Sequence, residues 1–367
     1  MAQDSVMTTK KLQWNGYIKE MAYSVFDKDF REPVSTNLLH NRININWKPQ
    51  KAISAAVEFR NRLYWSDAVN TTPAFTSLLR NENEWLNLSA LWIHTDRVVF
   101  QTNIDRAWAE FRQPIWMVRL GRQRINWGLT SVWNPNDIFN TYNFLDFDYE
   151  ERPGADAVYA RYNFSDSSAI DMAVNPNGDS KRSIGAMRYC VNRRGYHLQM
   201  LAGLYRNKLT AGFGWAGTLG SLSYKGEGQI FIGEEDSVNR FNYSLELSYS
   251  FKKGWYVSGS VLHNTTGLSE PVTNTAKINF RLSPINPMPG RWSFITIASK
   301  QFKRGLSSSL NLVYSPEIQL FIIYPSFNYQ LFHRLDADLV LQSFFLELQK
   351  KFQATSHTAF VRLKYRF

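Results

Sequence analysis

The closing residues of the chain alternate between apolar and polar side chains with a period of two. One face of this segment carries Ala359, Val361, Leu363, Tyr365 and Phe367. The opposite face carries Thr358, Arg362, Lys364 and Arg366. Successive side chains of a β-strand point to opposite faces, so the pattern predicts a strand that lies between an apolar environment and water.

This ending resembles the closing strand of Gram-negative outer-membrane β-barrels. In those proteins a terminal Phe, a Tyr two residues before it and alternating apolar residues form the signal that the barrel-assembly machinery reads. Physically, such recognition adds the strand to the edge of another sheet: backbone hydrogen bonds supply the affinity, and alternate side chains supply the specificity. The resemblance implies an assembly signal at Ala359, Val361, Leu363, Tyr365 and Phe367, with the assembly machinery as a partner.

No apolar run approaches the length that a membrane-spanning helix requires. The longest, residues 320–324, is followed directly by Pro325. A closed barrel is the other structure that satisfies its own backbone in lipid. The sequence therefore predicts an all-β fold, a transmembrane antiparallel up-and-down β-barrel in the bacterial outer membrane, with short periplasmic turns and long extracellular loops. Outer-membrane lipid and lipopolysaccharide would surround it.

Composition excludes some classes of partner. Lys and Arg number 42 against 31 Asp and Glu, a net charge of +11, and aromatic residues make up 15% of the chain. The basic residues are scattered singly along alternating segments, so no nucleic-acid partner is predicted. The single cysteine, Cys190, excludes an internal disulfide, and we expect no cofactor and no metal. Residues 2–5 are typical of the start of a mature protein whose signal peptide has been removed.

The alternation divides the chain into successive strands. It is clearest in residues 41–48, 53–65 and 241–251, and counting such segments gives about 16 strands, with 14 to 18 compatible with the pattern. Residues 66–101 fit a short helix or a strand, and we interpret them as an extracellular excursion. We expect residues 1–11 to be an N-terminal periplasmic segment and residues 12–367 to be one barrel domain.

Strand parity assigns side chains to the two faces of the barrel wall. The outward, lipid-facing set includes Ile43, Ile45, Leu245, Leu247 and Val361. The inward set supplies the pore-wall candidates Arg42, Glu58, Arg60, Arg62, Arg119 and Arg161. Basic residues outnumber acidic ones in the inward set, which favours anions in the lumen.

A long loop at residues 126–154 differs from the rest of the chain. Proline, asparagine and aspartate interrupt any strand there and build turns. The loop ends in an acidic run with Asp146, Asp148, Glu150 and Glu151. One interpretation folds these carboxylates into the lumen as a constriction, paired with wall arginines such as Arg60, Arg62 or Arg119. The alternative leaves them at the outer rim.

The same region carries the most specific motif of the chain. The run GRQRINWG at residues 121–128 is preceded by DRAW at 105–108 and followed by WNPNDIFN at 133–140. This pattern looks like a family of largely uncharacterised, porin-like outer-membrane barrels, and the likeness is specific over residues 104–156. The likeness implies an outer-membrane location and a barrel architecture, and it assigns no catalytic or ligand-binding residue.

Four functions compete. The first is a diffusion channel for small hydrophilic solutes, because a barrel of about 16 strands leaves an aqueous lumen. The second is a plugged accessory barrel within a larger outer-membrane protein complex, suggested by the apolar content of the loops. An enzyme is disfavoured because the six histidines lie on different segments and no nucleophile motif accompanies them. A soluble lectin or sandwich is disfavoured by the closing strand. The histidines are His40, His94, His197, His263, His333 and His357.

Overall fold

The structure of the chain is a computed structural model that describes residues 11–66, 69, 85–140, 144–145, 152–179, 181–233 and 239–367. The first strands are β1 Leu12–Phe26, β2 Val34–Gln50, β3 Ile53–Ser66, β4 Ser89–His94, β5 Val98–Arg112, β6 Trp116–Gln123, β7 Ala155–Ser165, β8 Ser168–Asn175, β9 Ile184–Arg193 and β10 Tyr196–Tyr205. The rest are β11 Lys208–Leu219, β12 Leu222–Ile232, β13 Arg240–Ser250, β14 Trp255–Asn264, β15 Trp292–Gln301, β16 Leu306–Ser315, β17 Leu320–Phe332, β18 Leu335–Leu348 and β19 Lys351–Arg366. None of the helices among these residues is long and apolar enough to cross a membrane.

The strands close into an antiparallel barrel. Each pairs with its neighbours along the chain, and β1 pairs with β19 over Tyr17–Phe26 and His357–Arg366 to complete the ring. The short strand β4 is an addition to this ring. It pairs with the first part of β5, whose opposite edge pairs with β3 and whose last part pairs with β6. The all-β antiparallel closed barrel predicted from the sequence is therefore confirmed.

The ring contains 18 strands rather than about 16. Short segments give the weakest alternation, which left the sequence count open between 14 and 18, and such segments, β8 among them, form complete barrel strands here. Several strands also begin earlier than the alternation indicates. β2, for example, starts at Val34, although its clean alternation begins only at Asn41.

Side chains alternate across the wall as the strand period requires. On β13, Leu245 and Leu247 point outward with 41% and 57% of their surface exposed, whereas Ser244 and Glu246 between them are buried inside. Val361, Leu363 and Tyr365 of β19 are likewise exposed on the outer face. The outer surface of the barrel is thus apolar and its inner surface polar.

The two ends of the barrel differ. At one end the connections are tight turns, such as residues 194–195 and 220–221. β1 begins and β19 ends at this same end of the barrel. At the other end lie the long connections, including residues 124–154 and 265–291. We call these the short-turn end and the long-loop end.

The apolar core of the protein lies inside the barrel. Residues of the long connections pack against inward side chains of the wall in three clusters. The segment interpreted as an excursion contributes Val69 to the smallest cluster, together with Leu38 and Val99. Residues 1–10, nearly all of the expected N-terminal segment, lie outside the described part of the chain.

Candidate functional site

The β6–β7 loop, residues 124–154, turns back into the barrel directly after β6. Trp127 is 1% exposed and meets Phe139 edge to face, with ring centroids 5.2 Å apart. Both rings belong to one buried cluster with wall residues of β7 to β10 and of β12, among them Tyr205 and Phe231. A Cβ on Gly128 would lie 2.6 Å from the Cβ of Asn134, so only glycine permits this close reversal.

The same loop also reaches the far wall. Trp133 and Phe144 form a second edge-to-face pair at 5.8 Å, and they belong to a cluster with the wall of β14 to β18. The wall members of that cluster are Leu262, Ile295, Val313, Leu320, Ile322 and Leu346. Gln342 of β18 donates a hydrogen bond to the carbonyl oxygen of Leu145 at 3.2 Å. The loop therefore crosses the lumen from one wall to the other.

One buried carboxylate holds the crossing segment. Glu227 of β12 is 1% exposed and accepts hydrogen bonds from the backbone N–H groups of Leu129 at 3.1 Å, Thr130 at 2.9 Å and Asn136 at 3.0 Å. The hydroxyl of Thr130 donates a further bond to it. Such charge-assisted bonds are stronger than neutral ones. We call Glu227 and these donors the loop anchor.

A second carboxylate extends this attachment. Glu246 of β13 accepts hydrogen bonds from the backbone N–H of Ser131 at 2.6 Å and from its hydroxyl at 2.8 Å. Lys225 lies 3.2 Å from Glu246 and also donates to the Ser131 hydroxyl. The described part of the loop is thus bound by acidic side chains of the wall.

Arg152, near the end of the loop, ties it to the start of the loop at Asn126, whose side-chain oxygen accepts a hydrogen bond at 3.3 Å, and to the crossing segment. Its guanidinium donates to Asp137 at 2.6 Å and to the side-chain oxygen of Asn134 at 2.9 Å. Burial raises the pKa of Asp137 to about 7; Arg152 opposes this rise, and the nearby Glu227 carboxylate adds to it. Arg152, with a smaller contribution from Arg124, therefore favours the charged form of Asp137 and lowers its pKa.

The β14–β15 connection also fills the lumen from the long-loop end. Val272, Ile278 and Met288 join the same cluster as Trp133. Asn242 and Asn264 of the wall donate to carbonyl oxygens of this connection at 2.7 and 2.8 Å, those of Pro284 and Met288. Two loops thus meet inside the barrel.

The pore-wall candidates all lie on the inner face, and each has a polar partner. Arg42 binds both Glu58 and Asp105, and Arg60 lies 2.9 Å from Asp105. Arg62 donates to Gln101 at 3.2 Å.

Two further candidates pair with other carboxylates of the wall. Arg119 pairs with Glu110 at 2.5 Å, and Arg161 lies 3.6 Å from Asp171. Their role in a pore stays a prediction, while their inward placement agrees with strand parity.

In these pairs the arginine is usually the member nearer to the lumen. The side chains of Arg60, Arg119 and Arg161 are 23%, 24% and 35% exposed, whereas their partners Asp105, Glu110 and Asp171 are 8%, 6% and 0% exposed. Arg42 is the reverse case with both of its partners, since its side chain is 1% exposed against 22% for Glu58 and 8% for Asp105. The ion pairs therefore present mostly guanidinium groups to the interior.

The constriction-loop candidates Asp146, Asp148, Glu150 and Glu151 lie outside the described residues, so their pairing with wall arginines stays a prediction. Sequence reasoning missed the acidic side of the attachment. Glu227 stands between Gly226 and Gly228 on an otherwise alternating strand, a signal that could have marked it.

The predicted assembly residues occupy the seam of the barrel. Ala359, Val361, Leu363 and Tyr365 lie on the outward face of β19, and Phe367 follows the end of that strand. Elsewhere in the described chain, no group of three or more His, Cys, Asp or Glu side chains is arranged to hold a metal ion. Cys190 is a buried wall residue.

Comparison with known proteins gives a likeness of fold alone. No protein-family model matches the chain, and no curated protein sequence matches it. OccAB3 of Acinetobacter baumannii superposes with a TM-score of 0.64 at 9% identity, covering 98% of this chain and all of that one. OccK11 (OpdR) of Pseudomonas aeruginosa has a TM-score of 0.61 at 8% identity, covering 97% and 96%.

A porin from Rhodopseudomonas blastica, as a triple mutant, has a TM-score of 0.50 at 10% identity and covers 97% of this chain and all of that one. The chain has a porin-like barrel fold. The resemblance through the GRQRINWG and WNPNDIFN motif stays a prediction, because no family model matches the chain.

Proposed function

We propose that the protein is an outer-membrane channel for small hydrophilic solutes, with anions favoured, and that the β6–β7 loop narrows its lumen. A closed barrel with an apolar outer face suits a bilayer, and a wall of 18 strands is wide enough to enclose an aqueous passage. The likeness to a porin supports the same class of function.

The ion pairs of the inner wall carry the anion preference. Their carboxylates are buried behind the guanidinium groups of Arg60, Arg119 and Arg161, so a solute in the lumen meets the positive member first. Low-dielectric walls focus such a field and raise the local concentration of counter-ions. Anions should therefore pass more readily than cations of equal size.

The second candidate is a plugged accessory barrel of an outer-membrane complex. The observation that favours it is the apolar packing of two loops inside the lumen, which joins Trp133 and Phe144 to Met288 and to the wall. An accessory barrel plugged in this way should carry almost no current. Conductance of the purified protein separates the two proposals.

Ion selectivity tests the channel directly. In planar bilayers under a KCl gradient, the parent should show discrete current steps and an anion-selective reversal potential. Replacing Arg60, Arg119 and Arg161 by Gln should roughly halve the anion-to-cation permeability ratio, because it removes the exposed positive groups. The barrel should still fold, since each buried carboxylate keeps a second arginine: Arg42, Arg112 and Arg188.

A matched control removes three positive charges from the long-loop end, with Gln at Lys28, Arg31 and Lys351. These side chains lie in or beside the β1–β2 and β18–β19 connections, so selectivity should stay at the parent value. Absence of current in the parent would favour the accessory barrel. An equal effect of both triple variants would refute the role of the wall arginines.

The membrane assignment predicts which substitutions the barrel tolerates. Leu247→Arg should cost roughly 2 to 4 kcal/mol of unfolding free energy in lipid vesicles, because it places a charge on the apolar outer face. Asn46→Arg is the control, since Asn46 lies on the inner face of β2. Glu246 is unsuitable because it binds Ser131. Urea unfolding followed by tryptophan fluorescence measures both, and equal losses would contradict the assignment of faces.

A further inference from the structure

Positive charge is concentrated at the short-turn end of the barrel. Five of the eight connections described at that end carry Lys or Arg, and further basic residues stand at the adjoining strand ends. The set comprises Lys11, Lys48, Lys51, Arg193, Arg194, Lys252, Lys253, Lys303, Arg304 and Arg334. Across these tight turns the sequence places one carboxylate, Asp166 in the β7–β8 turn. We call this set the basic ring.

The basic ring is not neutralised within the described chain. None of its side chains forms an ion pair there, in contrast to the inner-wall arginines. Connections at the long-loop end mix the two signs, as in residues 27–32, where Lys28 and Arg31 stand among Asp27, Asp29 and Glu32. The excess of charge is thus specific to one end.

A belt of outward aromatic side chains borders the basic ring. Its members are Trp47, Phe111, Trp116, Phe164, Tyr196, Phe251, Trp255, Phe302 and Tyr329, each between 37% and 60% exposed. The ammonium group of Lys300 lies 5.1 Å from the centre of the Trp255 ring. Aromatic belts of barrels lie at the level of the lipid headgroups, which places the basic ring at or just beyond the phosphates.

We propose that the basic ring binds the headgroups of anionic phospholipids in the leaflet at the short-turn end. The charges lie on opposite sides of the barrel, in the β9–β10 turn and along the arc from the β13–β14 turn through β1 to the β2–β3 turn, which suits several lipids better than a single protein docked at one side. Lys and Arg beside an anionic membrane surface each attract the headgroups, and the attraction falls off within a Debye length. This inference rests on the proposed membrane location and is independent of whether the lumen conducts.

Lipid selectivity measured by spin-label electron paramagnetic resonance tests the proposal. The parent barrel is reconstituted in phosphatidylcholine vesicles with trace spin-labelled phosphatidylglycerol or phosphatidylcholine, and the motionally restricted fractions give relative association constants. We expect a roughly two- to fivefold preference for phosphatidylglycerol at low salt, averaged over the annulus. The preference should approach unity in concentrated NaCl because the charges are then screened.

Two matched variants locate the effect. The ring variant carries Gln at Lys252, Lys253, Lys303 and Arg304, and should lose much of the preference. The control carries Gln at Lys28, Arg31, Lys350 and Lys351, at the long-loop end, and should keep the parent value. Heat-modifiable migration in gels verifies that all three barrels are folded.

The outcomes are separable. A parent without preference for phosphatidylglycerol, or a ring variant that equals the parent, overturns the proposal. Binding of soluble dextran sulfate through the ring, without lipid preference, would assign the surface to a soluble polyanion and also overturns it. Conductance of the same preparations tests the channel separately, so a barrel that carries no current but selects phosphatidylglycerol refutes the channel alone.

Discussion

Replacing Glu227 by alanine is expected to raise the single-channel conductance several-fold. The substitution removes the one carboxylate that accepts hydrogen bonds from Leu129, Thr130 and Asn136 together. A hydrogen bond to a charged group contributes roughly 1.5 to 3 kcal/mol, and donors left without a partner cost more in a buried site. The crossing segment should therefore leave its position for a large fraction of the time.

The size of the effect follows from how the loop is held. Its apolar contacts lie on both walls, but the loop anchor binds three backbone N–H groups at one buried carboxylate. Backbone amides that are buried there from water have no alternative partner. Glu227→Gln should give an intermediate result, because the amide keeps one acceptor oxygen and turns a donor toward the backbone N–H groups. Single-channel recording should therefore give the highest conductance for Glu227→Ala, an intermediate conductance for Glu227→Gln and the lowest for the parent.

Glu58→Gln is the matched control for this series. Glu58 is also an inward carboxylate, and its partner Arg42 keeps Asp105 as a second partner. The control removes the same charge from the lumen without touching the loop. The rate of limited proteolysis within the loop should rise together with the conductance, so that cleavage is faster in the Glu227 variants and unchanged in Glu58→Gln. Equal conductance in Glu227→Ala and the parent would mean that the loop does not set the width of the passage.

The strands could be predicted from the sequence because each lies between two different environments. β3 runs over Ile53–Ser66, close to the predicted residues 53–65, and β13 keeps its two faces throughout. The beginning of β2 could not be predicted in the same way. From Val34 to His40 polar and apolar side chains fall on both faces, because inward positions near the long-loop end pack against loop residues and are apolar too.

The candidate site was predictable only in part. Parity placed Arg60 and Arg119 on the inner face, but their partners depend on which strands become neighbours and in which register. Asp105, for example, approaches Arg60 only through the pairing of β5 with β3, two strands separated by a long segment of the chain.

The attachment of the loop was less predictable still. It joins residues about a hundred positions apart, such as Thr130 and Glu227. A local pattern carries no information on such a contact. The sequence suggested that carboxylates of the loop bind arginines of the wall. In the described part of the loop the roles are reversed, because the wall carboxylates of Glu227 and Glu246 accept hydrogen bonds from backbone N–H groups of the loop.

Deletion of Phe367 is expected to cause the largest loss of protein from the outer membrane. Phe367 completes the seam: its backbone N–H donates to the carbonyl of Gly16 at 3.0 Å, and its carbonyl accepts from the N–H of Gly16 at 3.1 Å. Its ring lies 5.7 Å from that of Trp14, and a Cβ at position 16 would come within 2.8 Å of it. We propose that the barrel-assembly machinery reads this residue last.

Two measurements separate recognition by the machinery from stability of the seam. In cells, the deletion should lower the outer-membrane level several-fold and leave precursor in the periplasm, because strand addition depends on alternate side chains of the closing strand. The second measurement is refolding by dilution from urea into detergent micelles, where no machinery is present. The protein that lacks Phe367 should refold there with nearly the parent yield.

The control is Phe332→Ala, which removes another exposed aromatic ring at the short-turn end, 72% exposed and outside β19. Its outer-membrane level should equal that of the parent, since the proposed assembly signal lies in the closing strand alone. A deletion that reaches the parent level in cells would count against Phe367 as part of the signal. A deletion that fails equally in cells and in micelles would assign the residue to the stability of the seam, because only a structural defect persists when the machinery is absent.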